Sequence, residues 1–82
     1  MNHYDVRVGT SREVKLMKLY LNRVVTKESW SYAKILNDES SKIHSFEFCM
    51  DRFEFNSLIR YLKENHVPFL AWENGKEASY DG

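Results

Sequence analysis

The residue pattern predicts an α+β protein built as a two-layer sandwich, a mainly antiparallel sheet carrying two helices on one face. Three observations lead there. Thr10-Ser11-Arg12-Glu13 and Asp51-Arg52-Phe53-Glu54 each open a helical pattern with a capping signature. In such a box a short oxygen side chain accepts a bond from an orphan backbone N–H, and a Glu three residues on reaches back to the cap. Each box follows a stretch whose apolar and polar residues alternate with the period of a strand. Downstream, Asn74-Gly75 is the dipeptide of a two-residue type I′ hairpin, because both central residues must take positive φ.

The elements follow in order. His3 to Val8 alternates with Tyr4, Val6 and Val8 on one face, and Gly9 breaks the run. From Arg12 to about Thr26, Val14, Met17, Leu21, Val24 and Val25 share an arc of roughly 100°, with Tyr20 at its edge, so this face should lie on the sheet. Leu16 and Leu19 fall outside the arc, among Lys15, Lys18, Asn22 and Arg23. Glu28 to Leu36 reads as a second strand, with Trp30, Tyr32 and Lys34 on one side and Ser31, Ala33 and Ile35 on the other; Asn37 to Lys42 makes a polar turn. Ile43 to Met50 alternates His44, Phe46, Phe48 and Met50 against Ser45, Glu47 and Cys49, and the two phenylalanines should face the core. In the second helix Phe55, Leu58, Ile59, Leu62 and His66 share one arc, while Tyr61 lies off it, and Pro68 ends the helix near His66-Val67. Phe69 to Glu73 and Lys76 to Tyr80 then pair across the hairpin, setting Glu73 against Lys76, Ala71 against Ala78 and Phe69 against Tyr80.

The resulting order is β-α-β-β-α-β with an extra strand in a C-terminal hairpin. It resembles the ferredoxin-like split βαβ arrangement, the order that RNA-recognition motifs also use. That resemblance rests on element order. An RNA-recognition motif carries glycines and outward aromatics on its third strand, where Lys42-Ile43-His44-Ser45-Phe46-Glu47-Phe48 keeps the aromatic alternation and lacks the glycines. With Phe46 and Phe48 in the core, Glu47 would face outward and repel phosphate.

Length and composition bound the rest. A chain of 82 residues buries only about 60–65% of its unfolded surface, so residues 1–82 form a single domain. One cysteine, Cys49, allows no internal disulfide and suggests a reducing, cytoplasmic setting. No apolar run spans a membrane, and Met1 to Asp5 lacks the basic and apolar regions of a signal peptide. The net charge of zero hides a division: residues 1–36 hold seven basic and three acidic residues, net +4, and residues 37–82 hold five and nine, net −4. Usage rich in Lys, Asn, Glu, Ser, Tyr and Phe resembles that of small accessory proteins from AT-rich phage or bacterial genomes.

Catalysis and metal binding find little footing. Ser31-Tyr32-Ala33-Lys34 matches a serine acyl-transfer pattern, but on a strand its first and last residues point to opposite faces. His3, His44, His66 and Cys49 are scattered, without the close-spaced pairs that zinc requires, and His66 fits a helix end better than a ligand. Cys49, flanked by Asp51, reads as a free half-buried thiol, and Gly9-Thr10-Ser11 as a plain cap without a phosphate loop. No cofactor is expected.

Surface contact remains. Arg12, Lys15, Lys18 and Arg23 form a basic stripe on the first helix, with Lys27 just beyond and Leu16 and Leu19 beside it. Trp30 and Trp72 would anchor wherever the second face of the sheet is open, since Trp, Tyr and Arg dominate interface energetics. The expected function is therefore a small non-enzymatic binding protein, an inhibitor or regulator that meets an acidic protein partner, or a second copy, through these eight residues. The alternative is an RNA- or single-strand-binding domain that uses the basic face of the first helix or the sheet. A solvated amphipathic helix would carry the same lysines.

Overall fold

The computed structural model describes residues 1–36 and 42–78, of residues 27, 36 and 78 the backbone only. It shows β1 (Asn2–Val8), α1 (Ser11–Val24), a 3₁₀ turn (Lys27–Ser29), β2 (Trp30–Leu36), β3 (Lys42–Met50), α2 (Arg52–Glu64), β4 (Leu70–Glu73) and β5 (Lys76–Ala78). The five strands make one antiparallel sheet in the order β2-β3-β1-β4-β5. The expected element order stands, fifth strand included. The polar turn and the Phe69–Tyr80 pairing involve residues outside the described ones.

Register decides which side chains share a face. β1 sets Tyr4 against Phe48, Val6 against Phe46 and Val8 against His44, and β4 adds Ala71 opposite Val6. Along β1 and β3 these residues alternate with mainly polar ones, so one face is apolar and accepts both helices, while on β4 Leu70 and Trp72 flank Ala71 and turn to the other face. From α1 come Val14, Met17 and Leu21, and from α2 Phe55, Leu58, Ile59 and Leu62, all buried in one cluster with the sheet residues. The rings of Tyr4 and Phe55 stack at 3.7 Å between centroids, joining α2 to the middle of the sheet.

Local chemistry sets the element ends. Thr10 Oγ1 accepts from the Glu13 amide at 3.3 Å, and its own hydroxyl donates to the Glu13 carboxylate at 3.0 Å, so the first box closes around its cap. The second box does not close: Asp51 occupies the N-cap, but its carboxylate makes no capping bond, and only its carbonyl engages, accepting from the Phe55 amide. At the other end of α2, His66 takes a left-handed φ of 55° and lies exposed beyond the helix, not on the expected apolar arc. Its amide donates to Lys63 and that of Val67 to Leu62, a paired closure that buries Val67. Asn74 and Gly75 both have positive φ, 50° and 85°, as a type I′ turn demands, and the hairpin sets Glu73 against Lys76 and Ala71 against Ala78.

Several side chains lie elsewhere than their helical arc suggested. Val24 is exposed because α1 ends there and Val25 turns extended, while Val25 remains packed on the core. Tyr61 packs its ring on Tyr20 with centroids 4.9 Å apart and closes the seam between the helices. Cys49 is exposed rather than half-buried, since its strand position turns it away from the helices.

A polar network ties α2 to the sheet. Glu73 accepts from the Tyr4 hydroxyl at 2.9 Å and from Arg52, whose Nε donates at 3.1 Å and whose Nη2 reaches the other carboxylate oxygen. Arg52 foremost, then Tyr4, holds the Glu73 carboxyl below the usual glutamate range. A carboxylate whose folded pKa is depressed contributes stability that is complete above its unfolded pKa and is lost as pH falls through the folded one.

Two measurements check this subsection. Thr10→Ala should cost about 1 kcal/mol in urea unfolding, whereas Asp51→Ala should cost only about 0.3–0.5 kcal/mol, from its charge near the helix start. Thermal melts between neutral pH and the acid range should show Glu73→Gln flattening the acid loss of stability seen in the parent protein. An unchanged acid limb would mean that the Arg52–Glu73 pair does not govern it.

Candidate functional site

The eight residues singled out in the sequence do not form one surface. Arg12, Lys15, Leu19 and Arg23 are exposed on the outer side of α1, with Leu19 61% accessible at its centre. Leu16 leaves this group: it is half-buried and packed on the core, because its helix angle turns it toward the seam that Tyr20 and Tyr61 fill. Lys18 faces the opposite flank, its ammonium 4.6 Å above the ring of Tyr32 on β2.

The two tryptophans are separated by the sheet. Trp30 lies on the helix side opposite Phe48, its ring 6.1 Å from that of Phe46, so it belongs to the margin of the core. Among the described residues its buried indole N–H has no acceptor. Trp72 stands on the uncovered face. A single flat partner therefore cannot touch α1 and Trp72 together.

The uncovered face is built by residues that alternate with the core. One row across it reads Ser31, Glu47, Asp5, Trp72 and Glu77, and the next Ala33, Ser45, Arg7 and Leu70, with Ile35 opposite Ile43 beyond. At its centre Asp5 accepts from the Ser45 hydroxyl at 2.9 Å and from Arg7 Nη2 at 3.4 Å. The Arg7 guanidinium also lies 4.5 Å from the centre of the Trp72 ring. Arg7 thus holds Trp72 half-buried and oriented, a restraint the sequence did not suggest. Pairing Arg7 with Trp72 would have required the β1–β4 register in advance. Beside them runs a shallow apolar groove lined by Val8, Gly9, Ile43, Pro68, Phe69 and Leu70, with Leu70 51% exposed.

A second grouping also escaped the sequence reading. His44 is buried on the helix side, its Nδ1 2.7 Å from the Tyr32 hydroxyl, and β2 places Lys34 directly opposite it. Burial first, then the ammonium groups of Lys34 and Lys42, hold the His44 imidazole below the usual histidine range, against a smaller opposing pull from Glu13.

Among the described residues the open face of the sheet and the outer side of α1 carry opposite charge. The strand residues of the uncovered face carry three carboxylates, Asp5, Glu47 and Glu77, against the one cation Arg7. The cations of α1, with Lys34 and Lys42, all belong to the helix side. Among the described residues no group of three or more His, Cys, Asp or Glu is placed to hold a metal ion, and no helix is long and apolar enough to cross a membrane. Comparisons with protein-family models, with curated proteins and with solved structures find no match.

The different placement of the two leucines has a direct consequence. Leu16→Ser should lower stability by about 1–2 kcal/mol, since it removes apolar packing from the core margin. Leu19→Ser should stay within about 0.5 kcal/mol of the parent protein in denaturant melts.

Proposed function

We propose that the chain is a small non-enzymatic binding protein of the cytoplasm that docks on another protein, as an inhibitor or regulator acting by steric occupancy. The carrying observation is the uncovered sheet face, where Trp72 is held by Arg7 beside the apolar groove of Ile43, Pro68, Phe69 and Leu70. Large half-buried aromatics next to aliphatic groups and ringed by charge are the composition of an interface centre. In this reading a partner of neutral or basic character inserts an aliphatic side chain into the groove and covers Trp72.

The fold accords with that use. Strand order β2-β3-β1-β4 with a helix in each crossover accords with a ferredoxin-like arrangement extended by β5, a scaffold that hosts many unrelated activities on one rigid sheet. Among the described residues of this face, the hydroxyl of Ser45 bonds the Asp5 carboxylate on an open sheet surface and not in the enclosed cavity that a catalytic reading would ask for.

The test is capture of a partner from the source cell, with and without nuclease, by parent and variant proteins. A specific protein should be retained after nuclease treatment, kept by Leu19→Ser and bound about 30-fold more weakly by Trp72→Ala, the ~2 kcal/mol of an anchor residue. Leu70→Ser should weaken the same partner with the fold intact by circular dichroism. A partner indifferent to both Trp72 and Leu70 would remove the sheet face from the proposal.

A further inference from the structure

We propose that the corner where α1 meets the β2–β3 ladder binds the phosphodiester backbone of a single-stranded nucleic acid, without reading its sequence. Three lysines from three different elements converge there. Lys18 comes from α1 and sits over the Tyr32 ring, Lys34 comes from β2 opposite His44, and Lys42 begins β3 two residues before His44. Lys34 and Lys42 are exposed and Lys18 half-exposed. Among the described residues no carboxylate forms an ion pair with any of them; the described ion pairs are Arg7–Asp5 and Arg52–Glu73.

Among the described residues, the carboxylate that acts on His44 from the helix layer is that of Glu13. It is buried and already accepts the Thr10 hydroxyl, so it is turned inward to its own cap. Among the described residues no carboxylate pairs with the three ammonium groups, which can take up a charge from outside. That they act on one place shows in His44: each of the three disfavours its imidazolium.

The shape of the patch argues for a linear polyanion. The cations continue from the corner onto α1 through Lys15 and Arg12, so a chain of phosphates can follow them, whereas a single phosphate would use only part of the row. No aromatic platform is offered to the bases. Tyr32 is engaged by Lys18 and His44, and Phe46 and Phe48 are buried beneath the helices. Affinity should therefore come from phosphates and depend on salt rather than on base identity.

This corner is on the opposite side of the sheet from Trp72, so the inference stands independently of the docking face. A 5′-labelled 20-nucleotide oligo-U and an oligo-dT are titrated with the full chain, and fluorescence anisotropy is followed at several salt concentrations. The proposal expects binding to both with similar affinity and a logarithmic salt slope of magnitude about 2 from the three corner lysines, up to about 3.5 where Lys15 and Arg12 also engage, reduced by about 0.7 for each lysine removed. Lys18→Gln, Lys34→Gln and Lys42→Gln combined should lower affinity at least tenfold while thermal stability is kept. In the parent protein the His44 ring signals in NMR should shift on addition of oligo-U, and the His44 pKa should rise, because a bound phosphate favours the imidazolium.

Trp72→Ala should leave oligonucleotide binding unchanged. The proposal is overturned by no binding at low salt, by binding that survives the triple change, or by a His44 that does not respond. It is equally overturned if a poly-glutamate peptide of matching charge binds as tightly, since the corner would then be a site for acidic protein.

Discussion

The pairing of β1 with β3 and β4 is the constraint on which every other feature rests. β1 is central, with Tyr4, Val6 and Val8 turned to the helices and Asp5 and Arg7 turned away. With β3 held by Phe46 and Phe48, a slip of one residue in β1 would turn Asp5 and Arg7 toward the core and leave Tyr4, Val6 and Val8 in water. Burying unpaired charges and exposing aromatics are both heavily unfavourable, so the register is strongly specified. Tyr4 extends this choice to α2, since its ring stacks on Phe55 and its hydroxyl bonds Glu73, which in turn holds Arg52 at the helix start.

The same register produces two chemically different faces. Alternation puts His44 and Lys34 beside the helices and Glu47, Asp5 and Glu77 on the open side, and α1 then adds its own cations to the first group. The sequential division, +4 followed by −4, does not map onto the two faces, because Asp51, Glu54, Glu64 and Glu73 belong to the helix side and Asp5 comes from the basic half. Arg7 is the exception, and its position explains itself. It offsets the like-charged juxtaposition of Asp5 and Glu47, and it lies on Trp72, which would otherwise be a loose ring on an open sheet.

Element order, the centre of each helix face, the hairpin turn and the Glu73–Lys76 and Ala71–Ala78 pairs were legible in the sequence because each depends on local chemistry: period, Pro68, Asn74-Gly75. What was not legible depends on which element lies next to which. Leu16 and Leu19 both fall outside the apolar arc of a helical wheel, Leu19 further than Leu16, and the seam with Tyr20 and Tyr61 is what makes the first a packed residue and leaves the second exposed. Trp30 and Trp72 are both strand tryptophans, and their faces follow from pairing with Phe48 and Asp5, not from their neighbours in the chain. Asp51 resembles Thr10 as a cap, yet only the threonine also donates a hydroxyl to its partner glutamate, so the two similar motifs diverge in geometry. Phe53, 83% exposed in the first turn of α2, was hidden inside a motif read only for its ends. The lysine corner could have been found from the β2–β3 register, which brings positions 34 and 44 together.

The open face also limits what can cover it. Its strand residues have a net charge of −2, from three carboxylates and one guanidinium, so two copies laid face to face would bring like fields together around their tryptophans. Placing the cationic outer side of α1 against the anionic face of a neighbour would satisfy the charges, but such a head-to-tail contact has no twofold closure and would build a ring or an open-ended assembly rather than a dimer. In the proposed docking, a different protein of neutral or basic surface meets neither the like-charge contact of two open faces nor an unclosed assembly, so the alternation that specifies the fold accords with a foreign partner.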